Sequence, residues 1–262
     1  MELGLEGKVV MVTGAAGSIG KGIVRGFADE KAKVFITDIV EEQLRNLKEE
    51  INSSGCICEY HPADVMKPSE VKETVLRAQS KLGGRIDILV NTAGIAGTRR
   101  VEDINEEEWD RIFAVNCRGT FLFIREVVPV MKRHRYGRII NFSSKSGKTG
   151  SALMSHYSAS KAAIIGLTQA LAHELAEFGI TVNCLCPGIV EGTRMWDGVA
   201  AGYTEKMGIS MEEVMAKFTS KVPLGRLTKI EDVVAVTLFL ASDVAGYLTG
   251  QAINVSGGRE MH

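Results

Sequence analysis

Net charge is nearly absent from this chain: 31 Lys and Arg stand against 32 Asp and Glu, leaving −1 at pH 7. No broad electrostatic field therefore points to nucleic acid or to a membrane surface. Long apolar runs are missing too, and none approaches the roughly 18 residues of a membrane span. The opening MELGLEGKVVMV carries no charged leader, and its first apolar run ends in a glycine-rich turn, so it reads as a strand and not as a signal peptide. Cysteine is scarce and odd in number. Cys56 with Cys58, and Cys184 with Cys186, have C-x-C spacing, not the C-x-x-C of a redox or zinc site, and Cys117 stands alone. Buried, reduced thiols in a cytoplasmic protein are the expectation. Clustered Cys and His ligands are lacking, so no metal is expected. No repeat, low-complexity tract or linker divides the sequence, which reads as one domain over residues 1–262.

What is present is alternation. Apolar, β-branched runs at 8–13, 32–38, 56–61, 85–91, 137–143, 179–186 and 251–255 read as strands. Most are apolar nearly throughout, as strands covered on both faces must be. Helical patterns separate them. Pro68 suits a first helical turn, and Asn105 with Glu108, Ser210 with Glu213, and Thr228 with Glu231 have the spacing of capping boxes. This order predicts an α/β fold of Rossmann type: a doubly wound sheet of about seven parallel strands with helices on both faces. Residues 191–222 interrupt the rhythm. They follow a strand's carboxyl end, where open α/β sheets bind ligands, so the segment is expected to be a substrate lid, with a decorative insertion as the alternative.

After the first strand comes TGAAGSIGKGI, in which Gly14, Gly17 and Gly20 lead into a helix. Glycine permits a tight turn and close approach of backbone to a pyrophosphate, and the helix N-terminus offers it free N–H groups. The strand–turn–helix context is what makes the pattern informative. Asp38 ends the second strand, where a carboxylate accepts hydrogen bonds from ribose hydroxyls and repels a 2′-phosphate. Ile39 and Val40 bring no arginine to rescue that phosphate, so NAD(H) is expected over NADP(H). Asp64, ending the third strand, is a candidate for the adenine edge.

Tyr157 and Lys161 are four apart and share a helix face. A free tyrosine has a pKa of about 10, so about one in a thousand is ionised at pH 7. A nearby ammonium is expected to lower that pKa toward useful values. With the glycine turn, NTAG at 91–94, Asn116, Ser144, YSASK at 157–161, CPG at 186–188 and SGG at 256–258, the chain resembles the short-chain dehydrogenase/reductase family over essentially its whole length. The resemblance implies a tetrad of Asn116, Ser144, Tyr157 and Lys161. In it Tyr157 takes the alcohol proton as hydride leaves, Ser144 holds the substrate oxygen, Lys161 grips the nicotinamide ribose, and Asn116 holds a relay water. It also implies cofactor contacts from Gly14, Gly17, Ser18, Ile19, Gly20, Asp38, Asp64, Val65, Asn91, Ala93, Gly94, Tyr157, Lys161, Pro187, Gly188, Ile189, Val190 and Thr193. The chain departs from the family pattern at Ser18, where a middle glycine is usual, and at Thr92, which replaces an Asn. Thr193 comes one residue later than the threonine expected to meet the nicotinamide carboxamide.

Within the family, SSKSGKTGS, YTEKMGIS, KVPL at 221–224 and GQAINVSGG resemble the sorbitol-6-phosphate 2-dehydrogenase subgroup, which implies NAD-linked oxidation of a sugar-alcohol phosphate to a ketose phosphate. A phosphate needs cations. Lys145 and Lys148 follow the serine, Arg99 and Arg100 follow NTAG, and Arg194 and Lys206 lie in the lid segment. Either they converge on an anion or several are solvated surface charges. Ser144, Lys145, Lys148, Tyr157, Arg194 and Trp196 are the expected substrate contacts. Trp196, Tyr203 and Met207 either close over the substrate or pack the segment onto the core, and His156 is expected to be a pocket wall. Two alternatives stand beside a sugar alcohol or its phosphate: a small ketone such as acetoin, or a 3-oxoacyl thioester. Outside enzymes, the alternative is a dinucleotide-binding sensor. The stretches 111–131 and 158–175 are more apolar than one buried face needs, which predicts a homo-oligomer, dimer or tetramer.

Overall fold

The seven apolar runs form seven parallel strands in a computed structural model that describes residues 2–261, the Met207 side chain excepted. They are β1 (Val9–Thr13), β2 (Lys33–Thr37), β3 (Cys58–Tyr60), β4 (Ile88–Asn91), β5 (Gly137–Phe142), β6 (Ile180–Pro187) and β7 (Ala252–Val255). Their order across the sheet is β3-β2-β1-β4-β5-β6-β7. The chain thus winds outward from β1 in one direction, then returns to start the other half at β4. The crevice between β1 and β4 is the switch point, where such sheets open for ligands.

Side chains alternate between two cores. Val10, Val12, Val34, Ile36, Ile88 and Val90 face one side, packed against α1 (Ser18–Asp29), α2 (Glu41–Ser53) and α10 (Ile230–Ala241). Val9, Met11, Phe35, Leu89 and Ile139 face the other, against α3 (Pro68–Leu82), α5 (Thr120–His134) and α7 (Ser155–Leu175). This two-sided covering is why the strands show no polar alternation.

The helix starts show local chemistry at work. Pro68 occupies the first turn of α3. Ser210 and Glu213 form a reciprocal box at the start of α9 (Met211–Thr219), at 3.2 and 2.7 Å. Asn105 caps α4 (Glu106–Phe113) by accepting the Glu108 amide at 2.8 Å. Glu108 does not return the bond, because its carboxylate turns to His156 and Arg99. The Thr228–Glu231 box does not form. The cap falls one residue later, where Asp232 accepts the Lys229 amide at 2.8 Å while held by Arg226, and the Thr228 hydroxyl donates to the Val255 carbonyl instead. The long pattern 111–131 is also not one regular helix: a π-helical segment at 114–119 joins α4 to α5. Such segments are frequent at functional sites.

The segment expected as a lid folds into α8 (Arg194–Met207) and α9. A third apolar cluster, with Met154, Tyr157, Trp196, Val199, Ala200, Tyr203 and Val214, packs these helices down at the sheet's carboxyl edge. Trp196 meets Phe218 edge-on, with ring centres 5.5 Å apart.

Candidate active site

The loops after β1, β2, β3, β4, β5 and β6 line one cleft of roughly 920 Å³. Its first end is made chiefly of backbone. Gly14 has φ +64°, and a Cβ there would stand 2.7 Å from the Ala93 backbone; a Cβ on Gly20 would overlap the Gly14 carbonyl oxygen. Only glycine fits these two places. Gly17 caps α1 without a side chain, and no acidic residue follows in the first turn, so the helix N–H groups are open to an anion. Asp38 stands just past β2, its Oδ2 accepting the Ala16 amide at 3.1 Å and its Oδ1 the Val40 amide at 3.2 Å. Those bonds hold the carboxylate at the cleft wall. A cradle closed to any Cβ, an uncapped helix start and a fixed carboxylate fit the pyrophosphate and ribose of a dinucleotide.

Ser18, Ile19, Asp64, Val65, Ala93, Gly94, Pro187, Gly188, Ile189, Val190 and Thr193 line the same cleft. Asn91 does not. It ends β4 beneath the cleft, buried, and its Nδ2 donates to Asn141 Oδ1 at 2.9 Å. The Thr193 hydroxyl is engaged as the cap of α8, donating to the Val190 carbonyl at 2.9 Å and accepting the Trp196 amide at 3.2 Å.

The other end is made of side chains. Ser144, Tyr157 and Lys161 all line it. Ser144 closes β5 and caps the short helix α6 (Lys145–Thr149), its Oγ accepting the Ser146 amide at 3.1 Å. Tyr157 and Lys161 lie one turn apart in α7, with Lys161 Nζ 5.8 Å from the centre of the Tyr157 ring. Lys161 Nζ donates to the Phe142 carbonyl at 2.7 Å. Burial pushes its pKa down to about 8. Burial likewise raises the Tyr157 pKa, opposed by the Ser144 hydroxyl. In the protein alone the expected lowering of the phenol is therefore reversed, because desolvation disfavours the phenolate more strongly than its neighbours favour it.

Asn116 lies in the π segment but does not line the cleft. Its Oδ1 accepts the Ile95 amide at 2.9 Å, and its Nδ2 donates to the Ile95 carbonyl at 3.0 Å and to Ser160 Oγ at 2.9 Å. It staples the loop after β4 to α7 and thereby fixes Gly94 against Lys161. His156 is fully buried, with Nε2 3.3 Å from Glu108 Oε1.

The expected substrate cations separate. Lys145 and Arg194 line the cleft, as does Trp196. Lys148 does not: its ammonium donates to the Ala252 carbonyl at 2.6 Å. Arg99 pairs with Glu108, Arg100 is exposed, and Lys206 pairs with Glu205 at 3.3 Å. Tyr203 lines the cleft and donates to the Ala152 carbonyl at 2.8 Å. Met207, grouped with Trp196 and Tyr203 from sequence, has its side chain outside the described residues. Sequence reasoning missed Arg111, Met154 and Phe218, which also line the cleft. Only Phe218 carried a signal, as an aromatic within the lid segment.

Known proteins match this arrangement along nearly the whole chain. Residues 14–260 match the family model described as enoyl-(acyl carrier protein) reductase. The chain is 41% identical over 254 residues to a 3-oxoacyl-(acyl-carrier-protein) reductase of Thermotoga maritima, covering 97% of this chain and 98% of that one. It is 36% identical over 258 residues to a sorbitol dehydrogenase of Cereibacter sphaeroides, covering 98% and 99%. The solved sorbitol-6-phosphate 2-dehydrogenase of Erwinia amylovora superposes with a TM-score of 0.92 at 38% identity, covering 97% and 100%. A xylitol dehydrogenase bound to NAD+ gives 0.94 at 30%, covering 97% and 100%, and an actinorhodin polyketide ketoreductase variant with NADPH gives 0.93 at 34%, covering 98% of each. With its parallel sheet, glycine cradle and Ser144–Tyr157–Lys161 cluster, the chain belongs to the short-chain dehydrogenase/reductase family, a family of oxidoreductases that bind a nicotinamide dinucleotide.

Proposed function

We propose that the protein is an NAD(H)-dependent dehydrogenase that interconverts a secondary alcohol and a ketone, its substrate a sugar alcohol or sugar-alcohol phosphate. The observation that carries this reading is one cleft with a backbone anion cradle at one end and Ser144, Tyr157 and Lys161 at the other. The glycine turn and the start of α1 would hold the pyrophosphate, and Asp38 the adenosine ribose. When bound, the dinucleotide supplies the hydride acceptor. Ser144 Oγ holds and orients the substrate oxygen. Tyr157 Oη takes the alcohol proton in oxidation and returns it in reduction. Lys161, fixed by the Phe142 carbonyl, keeps a positive charge near that phenol up to about pH 8. Asn116 serves the site by position, holding the loop that carries Gly94. The cluster of α8, α9 and Tyr157 supports a lid over 191–222 that excludes water from the reacting bond.

Asp38 supports NAD(H), since a carboxylate fixed by two amides repels a 2′-phosphate. The sorbitol and xylitol dehydrogenase relatives support the polyol reading. The 3-oxoacyl reductase relative supports a second one, reduction of a 3-oxoacyl thioester. Exposed Phe121 on α5 supports pairing between copies of the chain through α5 and α7.

The test is NADH absorbance with sorbitol, sorbitol 6-phosphate and a 3-oxoacyl thioester, wild type against Tyr157→Phe. A loss in kcat of about a thousandfold, with NADH binding retained, is expected on the polyol substrates. Full activity of Tyr157→Phe sinks the mechanism. Turnover of the thioester alone overturns the substrate assignment.

A further inference from the structure

The C-terminal tail brings charge to the substrate end of the cleft. Lys145 Nζ stands 3.8 Å from Glu260 Oε1, and Arg259 Nε stands 3.9 Å from that same oxygen. Both distances exceed a hydrogen bond, so the carboxylate lies between two cations and closes on neither. The Arg259 side chain is only 10% exposed, and its Nη1 is buried with no hydrogen-bond partner among the described residues. A buried guanidinium nitrogen left unpaired is costly unless something accepts from it. The group lies directly behind the cleft wall: Lys145 and Phe218 line the cleft, and Arg259, which does not, has its Cζ 5.2 Å from the centre of the Phe218 ring. Lys221 reaches the same ring, its Nζ 5.9 Å from the centre. Burial, then Arg259, lowers the Lys145 pKa, so the two cations feel one another. The tail is fixed in place. The Glu260 amide donates to Ser256 Oγ at 3.2 Å, and its carbonyl accepts from Asn254 Nδ2 at 3.0 Å. Two cations thus flank one carboxylate, with Lys221 a third positive charge near Lys145, and this surplus of positive charge suits an anion.

We propose that Arg259 and Lys145 form the receptor for a phosphomonoester on the substrate, with Arg259 Nη1 as a donor to its oxygens and Glu260 as the counter-charge that holds the receptor open. This rests on reading the cleft as a sugar-alcohol site. Arginine suits the task because its planar fork meets phosphate oxygens in pairs, while lysine adds a point charge. Lys148, committed to the Ala252 carbonyl, takes no part.

The experiment is isothermal titration of the full-length protein, saturated with NADH, with sorbitol 6-phosphate and with sorbitol. Wild type is expected to bind the phosphate about tenfold or more tightly than the free polyol. Arg259→Leu abolishes that preference, and Arg259→Lys keeps part of it. Glu260→Gln strengthens phosphate binding several-fold, a gain that misfolding cannot produce. Equal affinities in wild type, or a preference that survives Arg259→Leu, overturn the proposal. Turnover of the same protein variants with NAD+ in place of NADH, so that a hydride acceptor is present, separates it from the reading beneath it. An Arg259-dependent preference without oxidation of either ligand leaves the receptor standing and removes the polyol assignment. Sorbitol oxidation that Tyr157→Phe abolishes, with no phosphate preference, removes the receptor and leaves the polyol assignment.

Discussion

The two ends of the cleft are built from different materials. The end with the glycine cradle is chiefly backbone, a glycine turn and an uncapped helix start, joined by one side-chain carboxylate, Asp38, that two amides hold. The other end is side chain, drawn from α6, α7, α8 and α9. Backbone recognition depends on conformation, so it tolerates few residue types, and they sit close together in sequence. Side-chain recognition depends on which groups reach one place, and those groups are spread from Ser144 to Phe218. The first end is therefore suited to a ligand common to a family, and the second to one that differs between members.

If that division is right, the largest effect on folding belongs to the backbone end. Gly14→Ala places a Cβ 2.7 Å from the Ala93 backbone at φ +64° and is expected to cost about 3 kcal/mol or more in urea unfolding. Gly17→Ala, at φ −71° and 3.3 Å from the Gly14 carbonyl oxygen, is expected to cost about 1 kcal/mol or less. Equal costs would mean that the turn is not a conformational device.

Lys161 stands where the two ends meet, and its burial gives a pH signature of similar size. Its folded pKa of about 8 lies below the ordinary lysine value of 10.5 that the unfolded chain approaches. Between those values the unfolded state binds more protons, so wild type gains stability as pH rises. Relative to Lys161→Met, the gain is on the order of 3 kcal/mol from pH 8 to 10.5 and flat below pH 8. Urea titrations across that range measure it. A flat difference would show that the ammonium is better solvated than its burial implies.

The smallest effect is expected at Lys148. Its ammonium is committed to the Ala252 carbonyl, so Lys148→Met should cost about 1 kcal/mol of stability and leave kcat/KM for a phosphorylated substrate within about threefold of wild type. A loss as large as that of Arg259→Leu would move the anion site to α6 and blur the two ends.

Much of this was legible in the residues. The Gly14–Gly20 turn, Asp38, Ser144, Tyr157 and Lys161 are local patterns with spacing of their own, and the structure brings all of them to one cleft. The seven strands were legible because burial on both faces leaves continuous apolar runs. The π segment around Asn116 was not, since the side chain's partners, Ile95 and Ser160, lie 21 and 44 residues away. The same holds for the fate of the lysines. Lys145 and Lys148 sit in one short run, yet one lines the cleft and the other caps a carbonyl 104 residues further on.

The sequence by itself determined the parallel α/β sheet and the glycine turn, because each depends on periodicity or on neighbours a few positions apart, and its family resemblance singled out Ser144, Tyr157 and Lys161, which the structure gathers in one cleft. Tertiary structure alone decided which cations share the substrate end, the reversed pKa of Tyr157, and the meeting of Arg259 with Lys145. Burial and charge pairing act through space, and the groups concerned are far apart along the chain.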